Sequence, residues 1–173
     1  MQLIQTVTVG SGGAASIQFT SIPQTFTDLK LVVSARNTFG NYYSDTTITF
    51  NNQTSVSSRW LYGLSGTAGS YTATDGTSLF TPGTTVAANT FGNAEIYFPN
   101  YTSTGAKSYS SDSVMENNSA NIVMAIGAGL INNGTNPITS ITINGVGSPG
   151  FVEYSSASLY GILKGSDGIV TVS

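Results

Sequence analysis

Apolar residues in this chain recur at every second position in short runs, and clusters of Gly, Asn, Ser and Pro interrupt the runs roughly every dozen residues. A repeat of two is the side-chain period of a β-strand, whereas a helix needs apolar residues three and four apart, a spacing almost absent here. An all-β protein is expected. Leu29 to Arg36 is the cleanest case, with Leu29, Leu31, Val33 and Ala35 on one face and Lys30, Val32, Ser34 and Arg36 on the other. Such a strand covers a core on one side and meets water on the other.

Further strands are expected over Leu3 to Val9, with Leu3, Val7 and Val9 on one parity, and over Ala15 to Ile22, Thr46 to Asn51, Arg59 to Leu64, Asn93 to Tyr101 and Lys107 to Glu116. Gly10 to Gly13 reads as a turn, since no Lys or helix pattern follows it. Asn121 to Ile131 contains ten apolar residues in a row and fits a buried helix or a buried central strand. The strand is favoured because Gly127 and Gly129 each weaken a helix by about 1 kcal/mol. Pro137 to Asn144 and Phe151 to Leu163 complete the set, the latter with a bulge expected across residues 155 to 158, where its parity changes. The total is about ten strands in a jelly-roll-like antiparallel β-sandwich.

One domain over residues 1 to 165 is expected from 173 residues and 17.9 kDa. Ser65 to Ala88, rich in Ser, Thr and Gly, reads as a long surface loop or contact arm. Residues 166 to 173 contain the β-prone strip Ile169 to Val172 and read as an extra edge strand or an arm towards a neighbouring subunit.

Composition removes most chemistries. There is no Cys and no His, so no disulfide framework, thiolate or imidazole metal site, or Ser-His-Asp triad is available. Only 8% of residues are charged and five are basic, which leaves no cationic surface for nucleic acid. Ser and Thr number 24 each, so hydroxyls and amides carry solubility. The beginning of the sequence lacks the basic and apolar regions of a secretory signal, and the apolar run at Ile122 to Ile131 is about half the length of a spanning helix.

A carboxylate pair is the one catalytic arrangement that survives, but Glu95, Asp112, Glu116 and Glu153 lie on polar parities as solvated strand faces do. Asp28, Asp45, Asp75, Asp112 and Asp167 are scattered and open no calcium loop. No cofactor or metal is expected. Asn52, Asn100, Asn117 and Asn133 begin glycosylation triplets, which so much Ser and Thr produces by chance. The aromatics Trp60, Tyr62, Tyr71, Tyr42 and Tyr43 suit a glycan platform or, with more weight, a subunit interface. Candidate contact residues are therefore Trp60, Tyr62, Tyr71 and Phe80, with Ile169 and Val170 from the C-terminal strip.

Three stretches, Ser21 to Asn37, Phe91 to Tyr101 and Ile138 to Leu163 with its ending SSASLYGIL, resemble small virion structural proteins of tailed bacteriophages, particularly those of aquatic bacteria such as cyanobacteria. The resemblance implies a jelly-roll domain, usually a homotrimer, in a capsid cement or decoration protein or a tail appendage. It implies the phage major capsid protein or tail proteins as partners, a glycan in the appendage case, and location in the virion after synthesis in the host cytoplasm. No catalytic residues come with it.

Overall fold

The computed structural model describes residues 1–53, 56–74, 76–115, 123–132 and 136–163, and among them every regular element is a strand. The strands are β1 (Gln2–Thr8), β2 (Ser16–Phe19), β3 (Asp28–Ala35), β4 (Tyr43–Phe50), β5 (Val56–Leu64), β6 (Thr67–Ala73), β7 (Thr77–Pro82), β8 (Gly92–Phe98), β9 (Lys107–Met115), β10 (Val123–Ile131), β11 (Ile141–Asn144) and β12 (Ser156–Ile162). They form an eight-stranded sheet in the order β1-β12-β3-β8-β9-β10-β5-β6 and a four-stranded sheet in the order β2-β11-β4-β7, antiparallel throughout.

The pairing has a simple logic. β1 pairs with β12, β2 with β11, β3 with β8 and β4 with β7, so the chain is one long hairpin rolled up with successive segments in alternate sheets. This is jelly-roll topology. Two hairpins are inserted in it: β5-β6 between β4 and β7, and β9-β10 between β8 and β11. Both join the larger sheet beyond β8 and double its width.

The main core lies chiefly between β1-β12-β3-β8 and the smaller sheet, with Val56, Tyr109 and Ile131 entering it from β5, β9 and β10. It holds Leu29, Leu31 and Val33 of β3, Ala94, Ile96 and Phe98 of β8, and Ile48, Phe50, Ile141 and Ile143 opposite. A second cluster of Trp60, Phe80, Met115, Val123 and Ala125 forms where the inserted hairpins curl past β7. Consecutive residues of β7 therefore serve different clusters, Leu79 the first and Phe80 the second.

Two glycines of β10 explain why this segment is a strand with gaps. A Cβ on Gly127 would stand 2.6 Å from the Trp60 ring, and one on Gly129 would overlap the Tyr109 ring. Each glycine lies directly beside its aromatic partner across the ladder, Trp60 on β5 and Tyr109 on β9, and gives it room to lie flat on the sheet.

Four expectations are corrected. Residues 65 to 88 are not a long loop, for they contain β6 and β7; Thr and Tyr favour strands, and the apolar alternation is missing because β6 is an edge strand exposed along most of its length. Among the described residues the strands accordingly number twelve, against about ten expected. The parity change near residue 155 comes from a turn before β12, with Tyr154 at φ 69°, and not from a bulge within the strand. A register shift between Leu3 and Gln5 turns Leu3 to solvent and packs Ile4 against the core.

Arg36 does not belong to the solvated face of its strand. It is buried, with its guanidinium donating to the carbonyls of Val86, Ala87 and Thr90 and so holding the irregular stretch after β7. Beside it, Asn37 is fully buried and donates to Ser44 and Thr81, while Thr46 and Thr81 share a hydroxyl hydrogen bond of 2.7 Å. The C-terminal strip with Ile169 and Val170 lies outside the described residues.

Candidate functional site

Strand pairing turns the outer surface of the large sheet into a grid. Across β5, β10, β9, β8 and β3, one row reads Leu61, Ile126, Asp112, Glu95, Val32; the row before it reads Arg59, Ala128, Ser110, Tyr97, Lys30; the row after it reads Gly63, Met124, Val114, Asn93, Ser34. Neighbouring strands lie about 4.8 Å apart, so cross-row neighbours touch.

The inserted hairpins make this surface apolar. Leu61 and Ile126 are each 61% exposed and Met124 is 56% exposed, with Val114 and Leu130 also open. Leu61 and Ile126 are direct register partners, as are Met124 and Val114, so the exposed side chains form one patch. A shallow concavity of about 720 Å³ runs over it, lined by Leu61, Ala68, Val114, Met124 and Ile126 among others. A second of about 380 Å³ continues towards Arg59, Tyr71 and Thr72. Isolated apolar residues on a surface need no explanation, but a contiguous patch marks a contact site.

Charge is sparse here. Lys30 and Glu95 form an ion pair at 2.6 Å, the only one among the described residues. Asp112 lies directly across from Glu95 on the neighbouring strand, and Arg59 stands on the far side of β10. The sheet thus brings together two of the carboxylates singled out in the sequence, Glu95 and Asp112, on an open face with Glu95 tied to lysine. Glu153 is elsewhere, and Glu116 is outside the described residues. No group of three or more potential metal ligands occurs among the described residues.

The aromatic candidates divide. Trp60 is 1% exposed and Phe80 is buried beside it, their rings edge to face at 5.9 Å, so both are core residues and neither can stack on a sugar or a partner. Aromatic character alone made them contact candidates, but β5 and β7 bury these rings in a second cluster that a one-core sandwich does not have. Tyr62 is half-buried and Tyr71 is exposed. With Tyr43, Asp45, Leu64 and Phe80 they line a small cleft of about 160 Å³ between β4 and the β5-β6 hairpin. Burial first, and then the charge of Asp45, push the Tyr43 phenol above its ordinary value, which keeps it a hydrogen-bond donor.

The apolar patch itself was missed. Its signal was present in the apolar residues on both parities of residues 122 to 131, which mark a strand meant to be covered twice. Comparison with protein-family models, with curated proteins and with solved structures finds no match.

Proposed function

We propose that this chain is a non-enzymatic virion structural protein, a cement or decoration subunit that stabilises a phage shell by docking through the outer face of β5, β9 and β10. The observation that supports the reading is that face: apolar, nearly uncharged, and mounted on a sheet whose other side is packed. Contact through buried apolar area suits a protein with few charges and no disulfides, since it depends little on salt or redox state. The resemblance of three core stretches to virion proteins supplies the partner, the major capsid protein.

The test is attachment. Particles carrying the protein should contain hundreds of copies, and Ile126→Ser with Met124→Ser should abolish attachment while leaving the melting temperature nearly unchanged. A few dozen copies or fewer, or full attachment by the variant, would refute the shell reading.

The cleft between Tyr43, Tyr62 and Tyr71 favours a second reading, a tail appendage that recognises a surface glycan. Aromatic faces with a carboxylate at Asp45 are the groups that hold a sugar ring and its hydroxyls. Glycan-array binding that is lost in Tyr71→Ala would support it, and an array without hits would dismiss it.

A further inference from the structure

The charges around the apolar patch are unbalanced in a way that names its occupant. Asp112 lies opposite Glu95 across the β8-β9 ladder, a like-charge arrangement that is unfavourable in a sheet. Lys30 neutralises only Glu95. One negative charge is therefore left over on the β9 side of β10. On the β5 side, Arg59 uses one N–H on the carbonyl of Ser58 at 2.9 Å and has no carboxylate within ion-pair distance among the described residues. These two charges stand two strands and one row apart, about 10 Å or more from strand spacing and rise, and form no ion pair with each other.

Between them lie Leu61, Ile126 and Ala128. A negative group and a positive group flanking an apolar strip form a self-complementary surface. A two-fold axis in the plane of the contact, passing β10 between Ala128 and Ile126, sets Arg59 of one copy over Asp112 of the other. It does so twice by symmetry, and it brings Leu61 and Ile126 against their counterparts. Sheets packed face to face stand about 10 Å apart, a gap that the long arginine side chain helps to cross. A lipid surface fits less well, because anionic membranes call for clustered cations and this face offers Arg59 with the nearest lysine of its row four strands away and already paired.

We infer that the outer face of β5, β10 and β9 is covered by the same face of a second copy of this chain, joined by reciprocal Arg59–Asp112 ion pairs around a Leu61–Ile126 centre. This rests on the reading of the face as an assembly surface: the dimer is the form of the free protein, the second copy gives way to the shell on attachment, and the association is two-fold where the sequence resemblance implies threefold.

Charge reversal tests it with the full chain in solution. Light scattering should give twice the chain mass of 17.9 kDa. Arg59→Asp and Asp112→Arg should each weaken the dimer by about tenfold or more, since each places like charges in contact. The double variant should restore it, which a merely structural role for either residue does not predict. Should Arg59→Asp fail to fold, Arg59→Gln combined with a salt titration of the intact dimer reads the same ion pair. A monomer, a trimer, or a dimer indifferent to both reversals would overturn the inference. The two proposals fail separately: a monomer that still saturates capsids removes the dimer and leaves the shell reading, whereas a dimer that never binds particles does the opposite.

Discussion

The two halves of the large sheet share one ladder and one strand direction rule, yet their outer surfaces are opposites. Over β1-β12-β3-β8 the outward positions are mostly polar, Leu3 and Val32 being exceptions, and several satisfy one another, as in the Thr6–Ser158 hydroxyl pair at 2.8 Å and the Lys30–Glu95 ion pair. Over β9-β10-β5 the outward positions include Leu61, Val114, Met124, Ile126 and Leu130. The inner sides do not differ in this way, for both are packed. The contrast teaches that alternation reports covering, strand by strand. β3 alternates because the smaller sheet covers one side of it. β10 carries Val123 and Ala125 inward but Met124, Ile126 and Leu130 outward, the composition of a strand covered on both sides, and among the described residues only one cover exists.

The largest expected effect tests whether the two clusters are energetically one. Phe50→Ala in the main core and Trp60→Ala in the second cluster each remove a fully buried ring, at about 3–5 kcal/mol. If the inserted hairpins form a satellite, Trp60→Ala should speed hydrogen exchange in β5, β6 and β10 and spare β1, β3 and β12, while Phe50→Ala should loosen the whole sandwich. Uniform acceleration by both variants would merge the two regions into one cooperative unit.

Next in size is Gly127→Val. The added carbon atoms meet the Trp60 ring, which is fully buried and packs edge to face with Phe80, so the ring cannot yield freely. A loss of about 1–3 kcal/mol is expected in urea unfolding. A neutral outcome would show that the second cluster is loosely packed and would weaken its comparison with the main core.

Ser113→Ala works in the other direction. The hydroxyls of Ser111 and Ser113 are buried on the inner face of β9 without a hydrogen-bond partner among the described residues. Small side chains are required there because the edge of the smaller sheet, β7, crosses close to β9. The hydroxyl itself is dispensable, and its removal should raise stability by up to about 1 kcal/mol. A destabilised variant would reveal a buried water or another partner.

How far the sequence could be read depended on how local the cause was. Leu29, Leu31, Val33 and Ala35 announced β3 because a single parity faces a single core. β6 stayed hidden because an exposed edge strand needs no apolar parity, and Thr67 to Ala73 shows none. Trp60 was misjudged for a long-range reason: its burial depends on Phe80 of β7 and on Gly127 of β10 leaving room, a coincidence of three strands. Arg36 looked solvated because its parity matched Lys30; only the carbonyls of a stretch some fifty residues later give its guanidinium a buried place. The candidate surface is the intermediate case, since its residues were visible as an apolar run while its exposure was set by sheet order.

The smallest effect lies at the seam between the halves, where Lys107 opens β9 with its side chain turned inward and buried. Its ammonium donates to the Gly105 carbonyl at 2.9 Å, and burial holds its pKa below the ordinary 10.5. Between those two values the unfolded chain binds more protons than the folded one, so this group makes stability rise with pH across that window and level off above it. At neutral pH the charge is buried at a cost, softened by the carbonyl and by the position at a strand end. Lys107→Met should therefore raise the melting temperature slightly at neutral pH and narrow its lead over the parent as pH climbs. Tyr97, through its hydrogen bond to Asp28, and Tyr101, through burial, have raised phenol values and act in the opposite sense, losing stability as unfolded phenols release protons first. Variant and parent must then be compared at the same pH, where the tyrosine contributions cancel. A lead that grows on the alkaline side would mean that Lys107 is stabilised as a cation by a group near the seam, and the inward face of β9 would have to be counted as polar.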